Sequence, residues 1–169
     1  MNHFFLGLSR LLAIAGGFVL SILILIVVIS IIGRETGLGA IKGDYELVEA
    51  GMAFAIFAFL PYAHMTGAHA TVDIFTDWLG PRAQRVLTMV IDVVFAVVLV
   101  IIAWKLYGGM ESKLGSGQTT LLLQFPVWWS YVPAFIAAAI GAVVGVWHAG
   151  VRIVEALTDK TIAVEGGEV

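Results

Sequence analysis

The chain has 169 residues, of which 60% are hydrophobic and only 12% charged, with no cysteine and a formal net charge of −3. A soluble domain carries about 25% charged residues, so this composition points to an integral membrane protein. The lack of cysteine excludes disulfides, thiolate metal sites and dithiol redox motifs, and the lack of any basic block gives no reason to expect nucleic acid as a partner.

A membrane-spanning helix needs about 20 apolar residues to cross roughly 30 Å of hydrocarbon. Four runs meet that length, at about 11–32, 48–65, 86–107 and 127–151. Ahead of the first, "MNHFFLGLSR" places Phe4, Phe5 and Leu8 on one helical face; it either lies in the interface or extends the first helix. The first run carries nothing more polar than Ser21 and Ser30. Arg10 precedes it as in a signal peptide, but the run exceeds the 7–15 residues of an h-region and no small-x-small site closes it, so a retained helix is expected.

The loop "GRETGLGAIKGDYE" is rich in glycine and charge, which marks a turn region rather than a folded module. Asp44, Glu46 and Glu49 then lead into the second run. After that run, "YAHMTGAHATVDIF" interrupts the apolar chain with two histidines, a glycine and an aspartate. Within "ATVDIFTDWLGPR", Val72, Ile74, Phe75, Trp78 and Leu79 share one helical side, and Asp73, Thr76 and Asp77 the other. This predicts a short amphipathic helix in the interface, about 71–79, ended by Gly80-Pro81, with Pro81 starting the third helix. Interfacial helices normally present a basic wet face. If the termini are cytoplasmic, the acidic one here would be repelled by lipid headgroups unless Asp73 and Asp77 face a protein partner or pair with Arg82 and Arg85; a partner surface is expected ahead of simple solvation.

The fourth run opens with "FPVWWSYVP", where Phe125, Trp128, Trp129 and Tyr131 form an aromatic belt; with Trp78 these residues are the expected interface anchors. Its interior carries a small residue at every fourth position, Ala137, Gly141, Gly145 and Ala149, a stripe that permits close helix approach. The segments between the runs are too short to bury a core of their own. The expected fold is therefore an all-α integral membrane protein forming a single membrane domain over residues 1–169, with four transmembrane helices and the interfacial helix between the second and third.

Among polar residues, Asp92 is the one unambiguous acid inside a run. At the bilayer centre it would cost roughly 2.5–3.5 kcal/mol, so it faces protein or water, either as a structural hydrogen-bond partner or as an ion or proton site. His64, near the end of the second run, is open to haem ligation with His148 or to proton relay. A zinc site from His64, His69 and Asp73 lacks further ligands, and neither a metal nor a cofactor is expected. No nucleophile with an adjacent base, phosphate loop or carboxylate pair is visible, so the chain is not expected to be an enzyme. Internal repeats, broken midplane helices and a charged path, the marks of an autonomous carrier, are also missing. Arg10, Arg82, Arg85, Arg152 and Lys160 fall on the side of the termini, against Arg34, Lys42, Lys105 and Lys113 opposite; this is a small vote for cytoplasmic termini.

The run "GDYELVEAGMAFAIFAFLPYAHMTGAHATVDIFTDWL" resembles the small membrane subunit of tripartite ATP-independent periplasmic (TRAP) transporters, the DctQ-like family. The positions that carry the resemblance are Glu46, Leu47 and Glu49, then Gly67, His69, Val72 and Asp73, and the proline-aromatic start of the fourth helix through Pro126, Trp128, Trp129, Tyr131 and Pro133. Length and four-span layout agree over nearly the whole chain, while His64 has no place in the family pattern. The resemblance implies a bacterial or archaeal inner-membrane scaffold. Its partners would be a large multi-span subunit that carries substrate and sodium, a periplasmic binding protein and membrane lipid, and its cargo a small organic anion, usually a carboxylate. On that reading Gly67 ends the second helix, Asp73 meets helix amides or a basic group, and His69 either contacts the partner or bonds internally; Glu46, Glu49, Gly67, His69, Asp73 and Asp77 are the expected subunit interface. Two other readings stand beside it: a haem- or quinone-associated anchor of a redox enzyme, and a small homodimeric carrier dependent on Asp92 or Glu49.

Overall fold

The computed structural model describes residues 2–66 and 81–158. The expected interfacial helix, and with it Gly67, His69, Asp73, Asp77 and Trp78, lies outside the described residues. Within them are four helices long and apolar enough to cross a membrane: α1 (Asn2–Glu35), α2 (Asp44–Met65), α3 (Pro81–Ser116) and α4 (Trp128–Thr158). Each contains one of the apolar runs, as it must, because lipid offers no partner to backbone N–H and C=O groups and a helix satisfies them within itself.

The helices extend beyond the runs. At 1.5 Å per residue α1 and α3 are more than about 50 Å long, so both project past the hydrocarbon. The N-terminal decapeptide is the first stretch of α1; Ser9 on it donates its hydroxyl to the Phe5 carbonyl at 2.8 Å and sits against Met65 of α2.

The principal packing pairs are α1 on α2, α2 on α4 and α4 on α3. This makes α2 and α4 the inner helices and α1 and α3 the outer ones. The core is built from small side chains, Ala55 and Ala58 of α2 and Ala134, Ala137, Ala138 and Val144 of α4, with Leu99 of α3 between them. Small residues suit a membrane interior, where close van der Waals packing replaces the hydrophobic effect as the source of helix association. The outer helices carry broad exposed apolar flanks, including Phe18, Leu25 and Ile29 on α1 and Val94, Ile101 and Trp104 on α3.

Two loops at one end of the bundle are tied down by polar contacts. Ser30 of α1 donates its hydroxyl to the Asp44 carboxylate and accepts from the Ile41 amide at 3.2 Å, and Arg34 lies 3.4 Å from the same carboxylate. The α3–α4 loop folds as a narrow hairpin, with Thr120 N–H on the Phe125 carbonyl and Val127 N–H on the Gln118 carbonyl, both at 2.9 Å. Its tip is captured by Glu46, whose carboxylate accepts the Leu122 and Leu123 amides at 2.7 and 2.9 Å. Leu123 then rests on Gly43, the residue before α2, which holds φ 75°. A Cβ on Gly43 would collide with the Leu123 side chain, and the left-handed backbone there excludes most other residues independently.

Candidate functional site

Charged and ionisable side chains inside a bilayer are expensive and mark sites by default. The fold gathers four of them at the end of the bundle opposite the two tied loops. His64 stands one residue before the last of α2. Asp92 lies about 9 Å along α3 from Val86, and His148 about 9 Å before Val154 on α4, with Arg152 one turn further along α4.

Asp92 is the centre of this cluster. Its Oδ1 lies 3.6 Å from His64 Nε2, and its Oδ2 lies 3.8 Å from His148 Nε2 and 3.3 Å from Arg152 Nε. The side chains of His64, Asp92 and His148 are 1%, 9% and 10% exposed, and Arg152 21%, so three groups are buried and the arginine is the most exposed of the four. The two imidazoles meet edge to face, with centroids 5.1 Å apart, and the outer face of His64 stacks on Phe95 at 4.1 Å. Among the described residues, and with both histidines neutral, one carboxylate faces one guanidinium here. That balance is what makes an aspartate tolerable at this depth.

The packing that brings these residues together is the small-residue stripe of α4. Gly141 and Gly145 lie two turns and one turn inward of His148. A Cβ on Gly141 would stand 3.1 Å from Pro61 Cγ, and one on Gly145 3.4 Å from Leu99 Cδ1 and 3.5 Å from the Ala96 backbone. Pro61 is one turn before His64, and Ala96 and Leu99 are one and two turns beyond Asp92. The same three helix faces therefore carry a tight apolar seam and then the polar cluster. Ala137 and Ala149 of the stripe are also buried.

The remaining anticipated residues are elsewhere. Glu46 and Glu49 line a cavity of about 570 Å³ at the loop end, with Tyr45, Lys113, Thr120 and Tyr131. Glu46 is committed there to the α3–α4 hairpin. Trp129 is largely exposed, and Trp128 and Tyr131 are half-buried. Trp128 meets Trp129 edge on, and Tyr131 sits beside Gly109.

Sequence reasoning weighed His64 with His148 only as haem ligands. Rings in direct edge-to-face contact leave no room for a porphyrin plane between them. In the sequence Arg152 reads as a loop charge, although an intramembrane acid demands a cation and Arg152 is the one Lys or Arg of the fourth helix. That demand was the available signal.

A family model described as the DctQ component of the tripartite ATP-independent periplasmic transporters matches residues 23–159. No curated protein and no solved structure matches the chain.

Proposed function

The chain belongs to the DctQ component family of the tripartite ATP-independent periplasmic transporters, and from that premise we propose that it is a scaffold subunit: it stays fixed in the bilayer and holds a large transport subunit level while that subunit moves a small organic anion, of carboxylate class, inward with sodium. A periplasmic binding protein delivers the anion and sets its identity. The membrane is the bacterial or archaeal inner membrane, and the termini are cytoplasmic.

The observation that carries this reading, beyond the family match over most of the chain, is the distribution of polarity. The described polar groups are concentrated at the two ends of the bundle, and the middle is an alanine- and glycine-based seam around Leu99. Among the described residues an anion has nothing to follow across the membrane, yet two outer helices present wide apolar flanks for a partner helix and lipid. The interface with the large subunit includes the acidic segment around Asp73 and Asp77, together with Gly67 and His69.

Proteoliposomes test it. Vesicles holding this chain, the large subunit and the binding protein are expected to accumulate labelled carboxylate under an inward sodium gradient, and vesicles holding this chain alone are not. Accumulation by this chain alone would replace the scaffold reading with an autonomous carrier. Asp73→Lys is expected to weaken co-purification of the large subunit with membrane insertion unchanged; undiminished co-purification would remove that segment from the interface.

A further inference from the structure

We propose that His64, Asp92 and His148 form a binding site for a single divalent ion of the zinc class, and that Arg152 is the group this ion displaces. The donor set is two imidazole nitrogens and one carboxylate, each from a different helix, with all three ligand atoms within 4.8 Å of one another. Direct hydrogen bonds place their heavy atoms about 2.7–3.2 Å apart, whereas both imidazole nitrogens stand off from Asp92, at 3.6 and 3.8 Å. Metal–ligand bonds of about 2.0–2.1 Å in tetrahedral geometry separate ligand atoms by about 3.3 Å. The two imidazole–carboxylate separations, one to each oxygen of Asp92, are within half an ångström of that value, and with one ligand atom taken from each residue the set spans up to 4.8 Å, so the side chains draw inward when the ion binds. Imidazole nitrogen favours zinc, copper or nickel over calcium or magnesium, which take oxygen ligands, and these three ligands from the described residues leave one tetrahedral position for a further donor.

Charge decides the role of Arg152. With the site empty, its guanidinium neutralises Asp92 at 3.3 Å. A dication next to that guanidinium would leave excess positive charge in a low-dielectric interior, so the two compete for one carboxylate. Arg152 is near the end of the membrane-spanning part of α4 and is the most exposed member of the cluster, so its long side chain can withdraw to the interface, as arginine does at helix ends. Metal binding then exchanges a guanidinium–carboxylate contact for coordination that ties α2, α3 and α4 together at one membrane face.

The competition gives this proposal a sign that a structural cluster lacks. The test uses the full chain, purified in detergent through a tag without histidine and stripped with chelator, then titrated with Zn²⁺ followed by metal content and with Co²⁺ followed by its visible ligand-field bands. One ion per chain is expected, with the intense cobalt bands of tetrahedral coordination and a melting temperature raised by Zn²⁺. His64→Gln and His148→Gln should each weaken binding by at least about tenfold, and Arg152→Gln should tighten it by a factor in the range of about 10–100 over which neighbouring groups tune metal sites. Absence of stoichiometric binding by the unaltered chain overturns the proposal without recourse to any variant. So does binding that survives His64→Gln with His148→Gln, which would place the ion at His3 or His69, and so does loosened binding in Arg152→Gln.

Discussion

Leucine at Gly141 tests whether the α4 stripe is an internal seam. The Cβ of any other residue at 141 would stand 3.1 Å from Pro61 Cγ. The prolyl ring is fixed to the α2 backbone and can shift its Cγ only by a change of ring pucker, so either the pucker or the α2–α4 spacing must give by a few tenths of an ångström. For Gly141→Ala, overpacking opposes a helix-propensity gain of up to about 1 kcal/mol over glycine, and the net effect should be close to zero. Gly145→Ala meets only ordinary contacts at 3.4–3.7 Å and should be neutral or slightly stabilising. Leucine at 141 adds three further carbons directed into Pro61 and Leu99, and overpacking of this kind costs about 1–3 kcal/mol. At about 2–4 °C per kcal/mol for a chain of this size, Gly141→Leu should lower the melting temperature by several degrees. Val143, on the opposite face of α4 and 60% exposed, supplies the control: Val143→Leu should change little. Thermal unfolding of the purified chain in one detergent, followed by circular dichroism, reads all four variants. If Gly141→Leu melts with Val143→Leu, the stripe does not face α2 and α3, and the packing argument fails.

Other outcomes follow from the polar contacts. Glu46→Ala removes both acceptors for the Leu122 and Leu123 amides, so hydrogen exchange at those two amides should accelerate while exchange in the middle of α2 stays slow; unchanged exchange would mean that the hairpin holds itself. Asp92→Asn removes the carboxylate that Arg152 faces at 3.3 Å, and the loss of stability should fall below the about 3–5 kcal/mol of a fully buried pair, because Arg152 is partly exposed. The double variant Asp92→Asn with Arg152→Gln should be less damaged than the two single losses added together, measured as a double-mutant cycle in chelator; strict additivity would show that the two groups do not interact. Gly43→Val places a branched side chain at φ 75° against Leu123, so it should loosen the α3–α4 hairpin, seen as faster proteolysis between 117 and 127.

Much of the architecture is legible in the sequence because bilayer thickness imposes a single rule, and residues 11–32 satisfy it without any tertiary information. Where the helices end is less so. Asn2 and Ser116 bound their helices well outside the apolar runs, since a helix already nucleated in lipid continues into water at little cost, and hydropathy does not register the continuation. The stripe through Gly141 and Gly145 is visible as a four-residue spacing, although the spacing alone cannot say whether it serves a partner or the chain itself. The cluster is the least legible feature. His64, Asp92 and His148 belong to three helices and have no local spacing in common; only the order in which the helices pack, α2 on α4 and α4 on α3, brings them together. Sequence reasoning paired His64 with the nearby His69 and Asp73 for zinc because neighbours in the chain are all that a linear reading can join. Glu46 shows the converse. It was marked by resemblance to a family motif, and here it also holds the chain's own hairpin.

The central claim is that this chain works as the small subunit of a three-component transporter, and purification of the chain, tagged at Val169, from its native membranes in mild detergent tests it most directly. Mass spectrometry and a visible spectrum are taken on the same sample. The expected result is one large, multi-span membrane protein in stoichiometric amount, with no haem absorbance. A homo-oligomer alone, or a soluble oxidoreductase with a haem band, would contradict it.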